Sequence, residues 1–321
     1  FLGSDTDDYT YEALKLFLLG AISRAFKPGC KFEVMLCLVG GQGAGKSSFF
    51  RLLAVNDDWF SDDLKKLDDE NVYRKMQGHW IIEMSEMIAT ANAKSIEEIK
   101  SFLSRQKETY KIPYETHPAD RKRQCVFGGS SNTLDFLPLD RTGNRRFVPV
   151  MVYPERAEVH ILADEQASRE YINQMWAEAM EIYRSGNFRL RFSPAMNDYL
   201  KAHQKDFMPE DTKAGQILDY LERYSGSIVC SKQLYKEALG HDYDEPKQWE
   251  LREINDIMNN AVTGWRAFSN PRYFPEPYRR QKGWERIRND NEPDNSMDGF
   301  QEIPTEEMEQ LGLPEEWLKQ K

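Results

Sequence analysis

The chain has 321 residues, 40% hydrophobic and 30% charged, with a formal net charge of -10, so its length suits a large domain plus a small one and excludes a uniformly basic nucleic-acid coat. No apolar stretch approaches membrane-spanning length and the first residues lack the build of a signal peptide, which predicts a cytoplasmic protein with no membrane partner. Cys30, Cys37, Cys125 and Cys230 form no C-x-x-C pair and the five histidines sit far apart, so neither a zinc site nor a disulfide framework is suggested and isolated buried thiols are expected.

The charge is unevenly placed. Residues 289–321 hold ten acids against two lysines, whereas residues 100–123 carry seven Lys or Arg against three acids and residues 272–288 carry six against two. Both basic stretches are suited to facing phosphates. Residue 1 is not Met and directly precedes structured-looking sequence, so a segment of a longer protein is expected.

In chain order, Leu14, Phe17, Leu18, Ala21, Ile22 and Ala25 repeat at helical spacing until "KPG" at 27–29. "EVMLCLV", residues 33–39, reads as a buried strand. It runs into Gly40–Ser47, a G-x-x-x-x-G-K-S loop in which backbone N–H groups wrap an oligophosphate at a helix N-terminus. Gly41, Gln42, Gly43, Ala44, Gly45, Lys46, Ser47 and Ser48 are the expected nucleotide-binding residues. Lys46 reaches the outer phosphates and Ser47 supplies a hydroxyl to Mg²⁺, so ATP and Mg²⁺ are the expected cofactors.

Further strands are predicted at 79–84, 124–129 and 145–152, with helical patterns between them, which implies a mostly parallel sheet covered on both faces. "HWIIEMSEM" offers Glu83 as a metal-shell carboxylate and Glu86 as a water activator. Asn132 follows the next strand, where a polar side chain orients water and γ-phosphate. Arg145 and Arg146 stand at the entrance of the last strand, from which an arginine can reach a neighbouring subunit's γ-phosphate. Between them, residues 104–124 interleave Lys107, Lys111, Arg121, Lys122 and Arg123 with Tyr110 and Tyr114, the composition of a hairpin that holds a nucleic-acid strand through phosphates and stacked bases.

Two amphipathic helices follow, one through Ile172 and Trp176 and one capped by Ser193 before Pro194. "MPEDTKAG", 208–215, reads as a linker. Helices at about 214–224, 231–239 and 246–260, then two strands around a Pro-rich basic loop, outline a winged-helix-like domain. The expected division is a core over 1–210, a winged-helix-like domain over 211–288 and an acidic tail over 289–321, disordered or docking.

The runs "LVGGQGAGKSSFFRLLA", "GHWIIEMSEM", "EEIKSFLSRQKETYKIPYETHPADRKRQCVFGGSSN" and "RTGNRRFVPV" resemble the virulence-associated protein E family, over about residues 10–185. Those proteins are phage- and genomic-island-encoded P-loop ATPases similar to superfamily 3 helicases of the AAA+ class. The resemblance implies an α/β AAA+ core with a parallel five-stranded sheet in the order 5-1-4-3-2, a hexameric ring as homo-oligomer, and unwinding of single-stranded or forked DNA during replication of a mobile element, with a primase module or replication proteins as partners. It implies Lys46 and Ser47 as Walker A residues, Glu83 and Glu86 as Walker B, Asn132 as sensor 1, and Arg145 or Arg146 as the arginine finger. Helicases of this class generally place two acids side by side, whereas Met84 and Ser85 separate this pair, leaving both glutamates as candidates to activate water. The alternatives are a DNA-binding ATPase switch that assembles without unwinding, and a P-loop kinase.

Overall fold

The computed structural model describes residues 1–64, 67, 72–85, 93–111, 116–139 and 144–287. The expected roles of Glu86 and Tyr114, and the acidic tail, lie outside the described residues. The chain divides into two compact units, Phe1–Thr212 and Lys213–Lys321.

The first unit begins with helix α1 (Asp8–Phe26), whose N-cap Asp7 accepts a hydrogen bond from the Thr10 N–H. Next come β1 (Met35–Val39), α2 (Lys46–Leu53), β2 (Phe60–Ser61), α3 (Val72–Lys75), β3 (Ile81–Ser85), α4 (Ala93–Ser104), the antiparallel pair β4 (Lys107–Tyr110) and β5 (Ala119–Lys122), β6 (Val126–Ser131) and β7 (Phe147–Met151). Helices α5 (Glu165–Ser185) and α6 (Pro194–His203) complete it.

Strands β2, β3, β6, β1 and β7, in that spatial order, make one parallel sheet. Counting only these five along the chain, the order is 5-1-4-3-2. All five residues of β1 are buried, and their alternation divides the core. Leu36 and Leu38 pack with Phe17, Phe50 and Ile172, whereas Met35, Cys37 and Val39 pack with Phe102, Phe127 and Met84. Helices α1, α2 and α5 thus cover one face and α4 the other, and a strand buried on both faces must be apolar throughout.

Helix α5 is capped by Asp164 and closed by Gly186 at φ 68°. Its first turns are pinned to α2 by four charges. Arg51 bonds Asp57 and Glu165 at 2.8 and 2.9 Å, and Arg169 bonds the same two acids at 2.8 Å each. Hydrogen bonds from the Arg169 guanidinium, then those from Arg51, hold both carboxyls below the usual carboxylate range.

The second unit contains α7 (Thr212–Arg223), β8 (Ile228–Cys230), α8 (Ser231–Gln233) running into a wider turn over Leu234–Ala238, α9 (Gln248–Asn260), β9 (Trp265–Ala267), β10 (Arg272–Phe274), β11 (Arg279–Gln281) and β12 (Gly283–Arg286). Its core gathers Ile217, Leu234, Ile257 and Trp284. Three differences from the sequence reading stand out. The expected linker 208–215 gives way to helix at Thr212. Strand β8, three residues between two helices, was not foreseen. The two expected strands become four, β12 pairing with β8 and β9 while β10 and β11 form their own hairpin. All four cysteines are free, with Cys37, Cys125 and Cys230 buried and Cys30 partly so. Burial pushes the Cys230 thiol up to about 11, too high for a reactive thiolate at neutral pH.

Candidate active site

The phosphate loop leaves the C-terminal end of β1 and closes into α2. Gly45 sits in the left-handed region at φ 79°, and a Cβ there would stand 2.8 Å from Ile161 Cγ2. A Cβ on Gly40 would lie 2.4 Å from the Val152 carbonyl oxygen. Both positions therefore demand glycine, for backbone conformation in one case and close approach in the other. The crest, Gly41 to Gly43, is exposed, and α2 presents the unbonded N–H groups of its first turn behind it.

Four of the expected residues converge here from three strand ends. Lys46 is buried, and its ammonium donates to the Gly40 carbonyl at 2.6 Å, the Gly41 carbonyl at 2.8 Å and Asn132 Oδ1 at 2.9 Å. Ser47 Oγ donates to Glu83 Oε1 at 2.8 Å, and Ser130 Oγ donates to the same oxygen at 2.5 Å. Glu83 is wholly buried, and its second oxygen, Oε2, has no hydrogen-bond partner among the described residues. An orphaned buried carboxylate oxygen beside a serine hydroxyl fits a hard cation that takes one or two protein oxygens and keeps its waters. Ser47 and Glu83 are the residues that would hold Mg²⁺. No group of three His, Cys, Asp or Glu among the described residues is placed to hold a metal.

Two contributors were not legible in the sequence. Ser130 meets Glu83 only because β3 and β6 pair in a register that sets Glu83 opposite Gly128. His160, in the loop after β7, accepts the Leu162 N–H at Nδ1, which leaves Nε2 to donate to the Gly43 carbonyl at 3.2 Å. It steadies the crest, and nothing in its local sequence signals that contact.

Arg145 and Arg146 precede β7, which runs parallel to β1 with Phe147 opposite Met35. They therefore lie at the sheet edge opposite the phosphate loop, a five-residue strand or roughly 16 Å away. Arg145 is 69% exposed and pairs with Glu33 at 3.2 Å, whereas Arg146 is 21% exposed and donates to Ser104 Oγ at 2.9 Å.

On the β4–β5 hairpin, Lys107, Lys111 and Lys122 are exposed and Lys107 pairs with Asp120. The Arg121 guanidinium lies over the Tyr110 ring, 5.3 Å from its centroid. Arg123 corrects the expectation of a DNA contact. Its side chain is fully buried, ion-paired with Glu108, donating to the Phe102 carbonyl at 2.6 Å and lying over the Phe102 and Phe127 rings. It is an internal strut with no face to offer a phosphate. Replacing Arg123 by Ala leaves the buried Glu108 carboxylate with the more distant Arg105 at 3.6 Å, so urea unfolding should show a loss of up to about 3–5 kcal/mol.

The family described as the virulence-associated protein E-like domain matches residues 1–209. The chain belongs to that family. No curated protein matches the chain. Among solved structures, the A form apo structure of the NrS-1 C-terminal region is 14% identical, covering 89% of this chain and 73% of that one with a TM-score of 0.50. Another apo structure of that region is 14% identical, covering 87% and 72% with a TM-score of 0.45. The first likeness extends the match in fold beyond the virulence-associated protein E-like domain itself.

Proposed function

We propose that the chain is an ATP-driven DNA motor of a phage or other mobile genetic element, an AAA+ ATPase that hydrolyses ATP between the subunits of a hexameric ring and moves single-stranded DNA. The convergence of Lys46, Ser47, Glu83 and Asn132 on one phosphate loop carries this reading. When bound, Mg²⁺ would supply charge neutralisation between the outer phosphates. The backbone N–H groups from Gly41 to Ser48 cradle those phosphates, Lys46 faces the charge that develops in transfer, Asn132 orients the attacking water, and Glu86 or Glu83 accepts its proton. The sheet order 5-1-4-3-2 agrees with an AAA+ core. Arg145 and Arg146, a strand length from their own loop, suit a site shared with a neighbour, an arrangement for which a P-loop kinase has no use. No helix among the described residues is long and apolar enough to cross a membrane.

A second reading, an ATPase switch that assembles on DNA without unwinding it, draws on the second unit. There the order helix, strand, helix, helix and paired strands is winged-helix-like, with Tyr273 and Arg279 exposed on the β10–β11 hairpin. Strand displacement on a forked duplex, measured beside ATP hydrolysis, separates the two. A motor displaces the strand, and hydrolysis without displacement favours the switch. Oligonucleotide binding should also lose about 0.7 in log-log salt slope for each phosphate contact removed when Lys111 or Lys122 becomes Ala. An unchanged slope would make the hairpin a solvated surface.

A further inference from the structure

The loop after β7 returns over the phosphate loop and meets it at His160. The imidazole is fixed from within its own turn. The His160 carbonyl accepts the Ala163 N–H at 2.8 Å, and Nδ1 accepts the Leu162 N–H at 3.2 Å. The next carbonyl, of Ile161, accepts the Ser168 hydroxyl at 2.8 Å, which ties the turn to α5. A neutral imidazole whose Nδ1 accepts carries its proton on Nε2, so a single held donor is aimed at the Gly43 carbonyl 3.2 Å away.

That donor restrains a peptide otherwise free to turn over. Gly43 and Gly45 stand at φ 81° and 79°, whereas Ala44 between them is outside the left-handed region. Alternation of this kind turns successive N–H groups to one concave face and carbonyls outward, the form of an anion-binding nest. The Gly43–Ala44 peptide is trans and planar, so its carbonyl and its N–H point in opposite directions. Fixing the carbonyl on His160 therefore fixes the Ala44 N–H towards the phosphate side. Packing does not supply this restraint. A Cβ on Gly43 would meet no atom of the described residues within 4 Å beyond its chain neighbours, and glycine admits either orientation at little steric cost. Turned over, the same peptide would present its oxygen to a phosphate, and repulsion would replace attraction.

We propose that His160 is a positioning residue for phosphate binding, a lock that holds the Gly43–Ala44 peptide with its N–H turned to the oligophosphate. It acts through that N–H and touches no reacting atom. The proposal rests on the phosphate-loop part of the motor reading and deepens it, since nucleotide affinity then depends on a loop beyond the last strand of the sheet.

The test compares His160→Phe, which keeps a ring and loses the donor, with His160→Gln, which returns an amide N–H near the place of Nε2. Both replace an exposed side chain, and thermal melting checks that the fold is kept, with His160→Ala standing in should the Phe variant fail to fold. Calorimetric titration of the full chain should give a Kd about 10-fold higher in His160→Phe for MgATP and magnesium tripolyphosphate alike, with His160→Gln within about threefold of the unaltered chain. In hydrolysis, KM should rise by more than kcat falls. The sequence holds two Gly-Ala pairs, at 20–21 and 43–44, so carbonyl-labelled glycine with nitrogen-labelled alanine isolates both amides for NMR. Tripolyphosphate should move the Ala44 amide proton downfield in the unaltered chain and in His160→Gln, and far less in His160→Phe, with Ala21 as the internal control. Unchanged affinity in His160→Phe would overturn the proposal, as would lost affinity with the Ala44 shift intact. So would a loss confined to MgATP, since His160 would then touch the nucleoside. If tripolyphosphate binding depends on residue 160 as expected but the chain hydrolyses no ATP, the motor reading fails and the lock stands. Hydrolysis indifferent to residue 160 gives the reverse.

Discussion

Lys46→Ala should lower ATP hydrolysis by at least about 10²–10³-fold, the scale seen when one preorganised donor is removed from a site of developing charge. The ammonium bridges the Gly40 and Gly41 carbonyls and Asn132, all at the loop rim, while the apolar packing of α2 rests on Phe49, Phe50, Leu52 and Leu53. The variant should therefore fold with a melting temperature close to that of the unaltered chain. Steady-state phosphate release at saturating Mg²⁺ and ATP measures the effect, with circular dichroism as the control. Near-normal turnover in a folded variant would remove the assignment of the phosphate loop as a hydrolytic site.

The second large effect is expected from Arg145. Replacing it by Ala gives up only an exposed pair with Glu33, worth about 0–1 kcal/mol of stability. If it stabilises transition-state charge in a neighbouring pocket, the same change should cost about 10³–10⁵ in rate. Mixing distinguishes a role between subunits from one within a subunit. A Lys46→Ala protomer lacks a working pocket but keeps its arginine, and an Arg145→Ala protomer has the reverse. In a head-to-tail ring assembled at random from equal amounts, roughly one interface in four joins an intact pocket to an intact arginine. Activity should recover towards that fraction on mixing two inactive parents. Co-assembly with no recovery would show that Arg145 does not act across the interface. Arg146, held by Ser104 and near Glu33, should respond more weakly.

The sequence resolves this site where the chemistry is local and loses it where the fold brings distant residues together. Gly40 to Ser48 is readable because a phosphate loop is one contiguous run whose spacing is its geometry. Glu83 and Asn132 are readable because each stands at the end of an apolar run, and strand ends in a parallel sheet share an edge. Ser130 depends on strand register and His160 on how a loop returns over the crest, and neither leaves a periodic trace. Arg123 was misread for a different reason. In "DRKRQ" four polar side chains precede a glutamine, and only the rings of Phe102 and Phe127 together with Glu108 turn the third of the basic ones inward. The second unit shows the limit of periodicity for short elements, since β8 has three residues and the hairpin strands three each.

Helix α5 has a mechanical consequence. Its 21 residues make a rod about 31 Å long. At the near end, Ser168 bonds the Ile161 carbonyl at 2.8 Å, Ile161 walls the phosphate loop at Gly45, and Glu165 and Arg169 are braced to Arg51 and Asp57 around α2. Loop and helix are thus gripped together by one stiff element. Tilting α5 as a rigid body would therefore carry the wall of the glycine-rich loop with it, so under the proposed function strain at a bound nucleotide would reach Gly186, and load applied at Gly186 would be felt at the loop.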